Sequence, residues 1–206
     1  MTTKRSAKNA VSAFLSALLR LTGSLREGLE RLHAHALLRA SLQEPLPASV
    51  IVLGKVSVYG TGRVRIGEDV LLYPDVHLET QEDGHIEIGD GAVISRGTHI
   101  VAVSEIVIGE GSMIGEYTSI RDANHTREPG LNIRDSGHRA KPIFLGREVW
   151  LGRGVAVLSG VTIGDFATVG ANAVVTREVP SGLTVAGVPA IPISALPRES
   201  AYAQRT

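Results

Sequence analysis

The sequence predicts an all-β solenoid, a parallel β-helix with an N-terminal helical extension, on three observations. Aliphatic residues recur every six positions, a small or β-branched residue follows four places after each, and glycine often stands directly after the aliphatic one. The clearest run is Leu145-Gly146, Leu151-Gly152, Val157, Ile163-Gly164, Val169-Gly170 and Val175, trailed by Val149, Val155, Val161, Ala167, Ala173 and Val179. Shorter runs precede it: Ile66, Leu72 and Leu78; Ile88, Ile94 and Ile100; Ile108, Ile114 and Ile120. Three hexads make one coil of a three-sided solenoid. A strand alternates its side chains between faces, so the aliphatic residue points into a thin core, and coils stack about 4.8 Å apart through parallel backbone hydrogen bonds. The adjacent glycine is expected to supply backbone geometry at the bend that other residues resist. A β-sandwich would show turns about every 8–12 residues instead of a strict six.

Composition agrees with narrow, repetitive packing: the chain is 43% hydrophobic but only 4% aromatic, so large rings do not build its core. Lys+Arg and Asp+Glu both number 21, and this balance gives no argument for a nucleic-acid partner. The absence of cysteine excludes a disulfide framework and a cysteine nucleophile.

Residues 1–45 lack the glycine rhythm and read as helix. Val11, Leu15, Leu18, Leu25, Leu29, Leu32 and Ala36 recur at spacings of three, four and seven, one apolar face at helical period. Gly23 is expected to interrupt the helix, with Ser24 and Glu27 as a capping box opening a second one. Pro45 and Pro47 mark the boundary. The apolar face is expected to pack on the main domain or a neighbouring subunit; contact with a membrane surface, helped by Lys4, Arg5 and Lys8, is the alternative. The apolar stretch at 10–19 is about half the ~20 residues a spanning helix needs. No small-x-small cleavage site follows it closely, so it reads as plain helix rather than signal peptide.

The solenoid is expected over 50–193, with a tail at 194–206. One interruption breaks it. After Ile120 the next hexad is due at 126, but residues 126–142 leave the rhythm and carry Pro129, Gly130, Asn132, Asp135, Ser136 and Gly137. A polar excursion of this length from a regular solenoid is either a functional loop or a disordered one.

Residues 142–193, from PIFLGREVWLGRG through ANAVVTREVPSG to VAGVPAIPI, closely resemble the end of the maltose/galactoside and xenobiotic O-acetyltransferases, which are hexapeptide-transferase families. The segment IRDANHTREPG resembles the stretch that carries their catalytic histidine just before a protruding loop. The resemblance covers about 50–193, with the coils before residue 108 matching only as generic hexads. It implies a left-handed β-helix, a homotrimer with active sites between subunits, acetyl-CoA as cosubstrate with no metal, and a cytoplasmic enzyme. A left-handed crossover is itself rare among parallel strands.

Acyl transfer from a thioester to a hydroxyl needs a base at the hydroxyl and donors at the developing oxyanion. Histidine suits the first role, with an unperturbed pKa near about 6.5. By resemblance His125 is that base. Asp122 and Asn124, close by in sequence, are expected to orient its ring, with ordinary turn chemistry as the other reading. Trp150 matches a tryptophan beside the family's active site; core or interface packing is its alternative. Gly152 and Arg153 match the place where a backbone N–H lies near the thioester. Ala171, Thr176 and Arg177 match positions lining the pantetheine arm and the nucleotide phosphates, and a guanidinium suits phosphate. The sequence departs from the family where basic residues often follow Gly187-Val188-Pro189-Ala190: Ile191 and Ser194 stand there, and Arg198 is the nearest basic residue downstream.

His77 and His99 both close the second hexad of their coil, so a regular stack puts one above the other. Two such histidines are a start toward a metal site, as in the γ-type carbonic anhydrases on the same solenoid. Those need a third histidine paired closely in sequence, which His125 and His138 do not clearly supply. The expected function is therefore an acetyl-CoA-dependent O-acetyltransferase acting on a sugar or glycan hydroxyl. An N-acyltransferase on an amino sugar, a metal-dependent hydratase and a non-catalytic scaffold are its alternatives.

Overall fold

The computed structural model describes residues 2–193, with side chains from residue 8 onward; the tail at 194–206 lies outside the described residues. It is a left-handed parallel β-helix preceded by one long helix, α1 (Thr2–Ser41). Three sheets form its faces, here A, B and C. Face A has eight strands, from Ile51–Val52 to an antiparallel closing strand Ile191–Pro192; face B has six and face C five. The aliphatic series enters in rotation: Ile108 on C, Ile114 on A, Ile120 on B, each fully buried. The residue four places on turns inward at the following corner, where Val149, Val155, Val161, Ala167, Ala173 and Val179 are all buried. At three corners this place is polar and serves its neighbours. Ser112 Oγ donates to Gly146 O at 2.9 Å and accepts Val149 N–H at 3.0 Å, while Thr98 and Thr118 donate to backbone carbonyls.

The glycines act differently from expectation. Those directly after the aliphatic residue, such as Gly89, Gly109, Gly146 and Gly152, are not left-handed. They stand where the next coil crosses: a Cβ on Gly109 would lie 2.4 Å from the backbone of Gly146. The left-handed residue comes two places later. Gly91 (φ 65), Gly111 (φ 66), Tyr117 (φ 58), Glu148 (φ 54) and Asn172 (φ 58) all hold it. One glycine is kept for space and the other position for φ.

Up to Leu145 the hexad is kept at two corners and broken at the third. Where face B passes to face C, two extra residues separate Val58 from Ile66, four separate Leu78 from Ile88, and two separate Ile100 from Ile108. Nineteen extra residues separate Ile120 from Leu145. Insertions gathered on one edge of a repeat array mark the edge free to carry function.

The helix does not break at Gly23, and the Ser24–Glu27 capping box does not open a second helix: α1 is continuous. Both Gly23 and Gly28 face open space, so they cost α1 only intrinsic propensity, about 1 kcal/mol each. Near its C-terminus Ala34 and Leu38 join the core against the first coil, and His35 Nε2 lies 3.2 Å from Pro47 O. No helix among the described residues is long and apolar enough to cross a membrane.

Candidate active site

Asp122 is the last coil residue before the chain leaves the B–C corner. It is fully buried, and its carboxylate accepts backbone N–H bonds from Val103, Ser104 and Glu105 at 2.9, 2.7 and 2.8 Å. Its carbonyl accepts Lys141 N–H at 2.9 Å and the Ser159 hydroxyl at 2.6 Å. Asp122 thus clamps both feet of the excursion. Between the feet, Ala123–His125 pairs antiparallel with His138–Ala140, opposing His125 to His138. The tip is tied back by Thr126, which bonds Gly137 and Ser136, and by Ser136 Oγ, which donates to Asn132 O at 2.9 Å.

The excursion therefore begins at residue 123 rather than 126, and its first and last residues form a ribbon. His125 does not close a hexad; it sits on that ribbon, outside the coil. Its ring is exposed and lies against that of His138, centroids 4.2 Å apart and tilted by 41°. A pocket of about 450 Å³ opens here, lined by Asn124, His125, Thr126, Arg127, Arg139, Lys141 and Ser159. Three of these side chains are cationic and none is a carboxylate, so the pocket suits an anionic ligand beside the His125 ring. Arg127, Arg139, Lys141 and Ser159 were not singled out from the sequence. The basic character of the excursion was the available signal, but its fold back onto Ser159 is long-range.

The two expected supports of His125 separate. The hydrogen bonds of Asp122 run to the backbone of 103–105, so it positions the ribbon's base and does not orient the imidazole. Asn124 lines the pocket beside His125. Trp150 lies exposed on face A, in register with Met113 and Thr168, and is not among the residues lining the His125 pocket.

The expected cofactor positions fall on two corners. Gly152, Arg153 and Ala171 follow strands of face A, at the A–B corner, where the Arg153 guanidinium lies 5.4 Å from the Tyr117 ring centroid. Thr176 and Arg177 follow face B, at the B–C corner. Leu158 N donates to Val175 O at 3.1 Å, so Arg177 comes one coil beyond Ser159 and the His125 pocket. Ile191 is exposed in the closing strand; Ser194 and Arg198 lie outside the described residues.

On face B, His77 and His99 stack as expected, centroids 4.0 Å apart at 20°, with Tyr59 stacked on His77 in turn. Glu79 joins them, 3.1 Å from His77 Nε2. The three donor atoms lie within 4.8 Å of one another. Near-parallel rings, however, direct their in-plane lone pairs side by side rather than at one point, which fits a tetrahedral ion poorly. Burial, then the charges of His77 and Arg121, pushes the His99 imidazole below its usual range against the opposing pull of Glu79. Hydrogen bonds from Gln81 and then His77 hold the Glu79 carboxyl down.

Comparison with known proteins agrees with the repeat and the fold. Residues 142–177 match the family model described as bacterial transferase hexapeptide (six repeats). The chain is 38% identical over 130 residues to nodulation protein L of Rhizobium meliloti (strain 1021), covering 63% of this chain and 69% of that one. It is 29% identical over 137 residues to the putative lipopolysaccharide biosynthesis O-acetyl transferase WbbJ of Escherichia coli (strain K12), covering 63% of this chain and 70% of that one. Among solved structures, a variant of the perosamine N-acetyltransferase from Caulobacter crescentus, in complex with CoA and GDP-perosamine, superposes with a TM-score of 0.50 at 26% identity. That match covers 71% of this chain and 58% of the other. By its repeat, its fold and its relatives, the chain belongs to the hexapeptide-repeat acyltransferase superfamily.

Proposed function

We propose that the protein transfers an acetyl group from acetyl-CoA to a hydroxyl of a sugar or glycan, with His125 as general base. The observation that carries this reading is the B–C corner. It presents His125 at the mouth of a cationic pocket and sets Thr176–Arg177 one coil away on the same edge. His125 takes the acceptor's proton as its oxygen attacks the thioester carbonyl. The tetrahedral intermediate then collapses, the C–S bond breaks, and the departing CoA thiolate recovers the proton from His125. Arg127, Arg139, Lys141 and Arg177 are the cations available to the phosphates of CoA or of an acidic acceptor.

The second half of the expected cofactor groove, Gly152, Arg153 and Ala171, lies at the other end of face B. A neighbouring copy that sets its A–B corner beside this B–C corner completes the groove, and three such contacts close a trimer. Trp150, on face A, then belongs to the wall contributed by that copy. Acetyl-CoA is made and held inside cells, which makes the cytoplasm the place of action.

Calorimetric titration with acetyl-CoA tests the donor: well-folded protein that gives no binding heat excludes the reading. An acceptor screen comparing wild type with His125→Ala then tests the base, and equal turnover by the two shows that another group acts. Transfer to an amine of an amino sugar is the second reading, favoured by the CoA-bound N-acetyltransferase of the same fold. Hydroxylamine treatment of the product separates the two, since it removes an O-acetyl ester and leaves an amide.

A further inference from the structure

We infer that α1 docks along α1 of a second copy of this chain, through a heptad seam that the solenoid leaves uncovered. The seam runs Val11, Leu15, Leu18, Thr22, Leu25, Leu29, Leu32 and Ala36, alternating four- and three-residue steps without a slip. That is the spacing of core positions in a coiled coil, where each such residue inserts between four of a facing helix. The structure shows which side of α1 is already taken. Ala34 and Leu38 join the solenoid core on the side of the helix turned from the seam, and His35, which approaches Pro47, flanks it. Across the seam, Val11, Leu15, Leu18, Leu25, Leu29 and Leu32 are between 47% and 67% exposed.

A like helix is favoured over a lipid surface as the occupant. Beyond Thr22 the apolar stripe narrows to Leu25, Leu29 and Leu32, flanked by Arg26, Gly28 and His33, with Glu27 and Glu30 on the same turns. A stripe this narrow fits the groove of one facing helix, whereas insertion into lipid calls for a broad apolar arc. Toward the N-terminus Phe14, Leu19 and Leu21 widen the arc, which suits a bundle of more than two helices. Most helical stability in proteins comes from tertiary packing of an amphipathic face, and Gly23 and Gly28 weaken this helix further. A helix fastened only near one end therefore gains its remaining stability from a partner.

The chain has no cysteine, so single cysteines introduced into α1 report unambiguously. Leu18→Cys and Leu25→Cys lie on the seam; Arg20→Cys and Ser24→Cys lie off it. Mild oxidation of the full chain is expected to give disulfide dimers from the seam variants at least tenfold faster than from the other two. An antiparallel arrangement would link mixtures of Leu18→Cys and Leu29→Cys instead, and also supports the pairing. Equal rates at all positions, or no dimer from any variant or mixture, overturns it. So does flotation of the wild type on phosphatidylserine vesicles while the seam cysteines stay unlinked, because lipid then covers the face. None of these readouts depends on acetyl transfer.

Discussion

His125 and Asp122 stand three residues apart and do different things, and substitution separates them. His125→Ala removes the proposed base from an exposed ribbon. It is expected to lower turnover by about 10²–10⁴-fold, the range of general-base catalysis, with acetyl-CoA affinity and thermal midpoint unchanged. Asp122→Ala leaves three backbone N–H groups of the 103–105 turn without their acceptor. It is expected to cost about 3 kcal/mol or more in urea unfolding and to impair activity only by loosening the ribbon. Arg177→Ala should weaken acetyl-CoA roughly tenfold or more, the worth of a hydrogen bond to a charged group, leaving the acceptor's KM unmoved. His99 predicts a pH dependence. Its imidazole titrates below the ordinary 6.5 in the folded chain, so the unfolded chain binds more protons as pH falls through that value. Stability should therefore decline as pH falls through 6.5 and level off below the folded pKa. His99→Gln should flatten that slope in urea midpoints; an unchanged slope would assign it to other groups. Glu79, held below its ordinary 4.5, contributes stability that is lost only at more acid pH.

At the level of the element, each corner is built from two positions with separate demands. Gly89 and Gly91 share one corner. A Cβ on Gly89 would stand 2.7 Å from Glu110 N, whereas Gly91 has nothing within 4 Å and a φ of 65. Gly89→Ala should thus cost about 1–3 kcal/mol by overpacking. Gly91→Asn should be close to neutral, because asparagine tolerates this conformation and Asn172 already adopts it at the equivalent place. Thermal midpoints of the two variants check the pair; equal losses would contradict the division of labour. Core positions follow the usual rule: Ile120→Ala, at a fully buried site, should cost about 2–5 kcal/mol. The B–C corner accepts nineteen extra residues because Asp122, Lys141 and Ser159 rejoin the coil across the gap. The solenoid then resumes with Ile143–Leu145 in register on Ile106–Ile108.

For the whole molecule, one copy presents the expected groove in two halves, one at each end of face B. Activity is accordingly expected to require assembly: dilution below the dissociation constant, followed by light scattering alongside turnover, should lose both together. The solenoid's two ends are closed differently. The first coil is covered by Ala34 and Leu38 of α1, and the last by the antiparallel strand Ile191–Pro192. Both closures use up a sheet end that would otherwise add strands from another chain.

The solenoid was legible because its physics is local and periodic. Every aliphatic residue of the hexad series lies in the core, and the His77–His99 stack follows from counting alone. The reason for the glycines was not legible, since period locates them but only the distance to the next coil separates lack of room from left-handed backbone. The continuity of α1 across Gly23 was missed for a related reason: a glycine in open space weakens a helix without ending it. Of the residues that sequence and resemblance together singled out, His125 and Asn124 line the pocket and Arg177 lies one coil away. Only tertiary structure turned Asp122 toward the backbone, set His138 beside His125, gathered Arg127, Arg139 and Lys141 around them, and divided the remaining positions between two corners. A repeat is written in neighbours along the chain, but a pocket made by an excursion depends on where the chain returns. That return is decided by hydrogen bonds between Asp122, Lys141 and Ser159, residues as many as 37 positions apart.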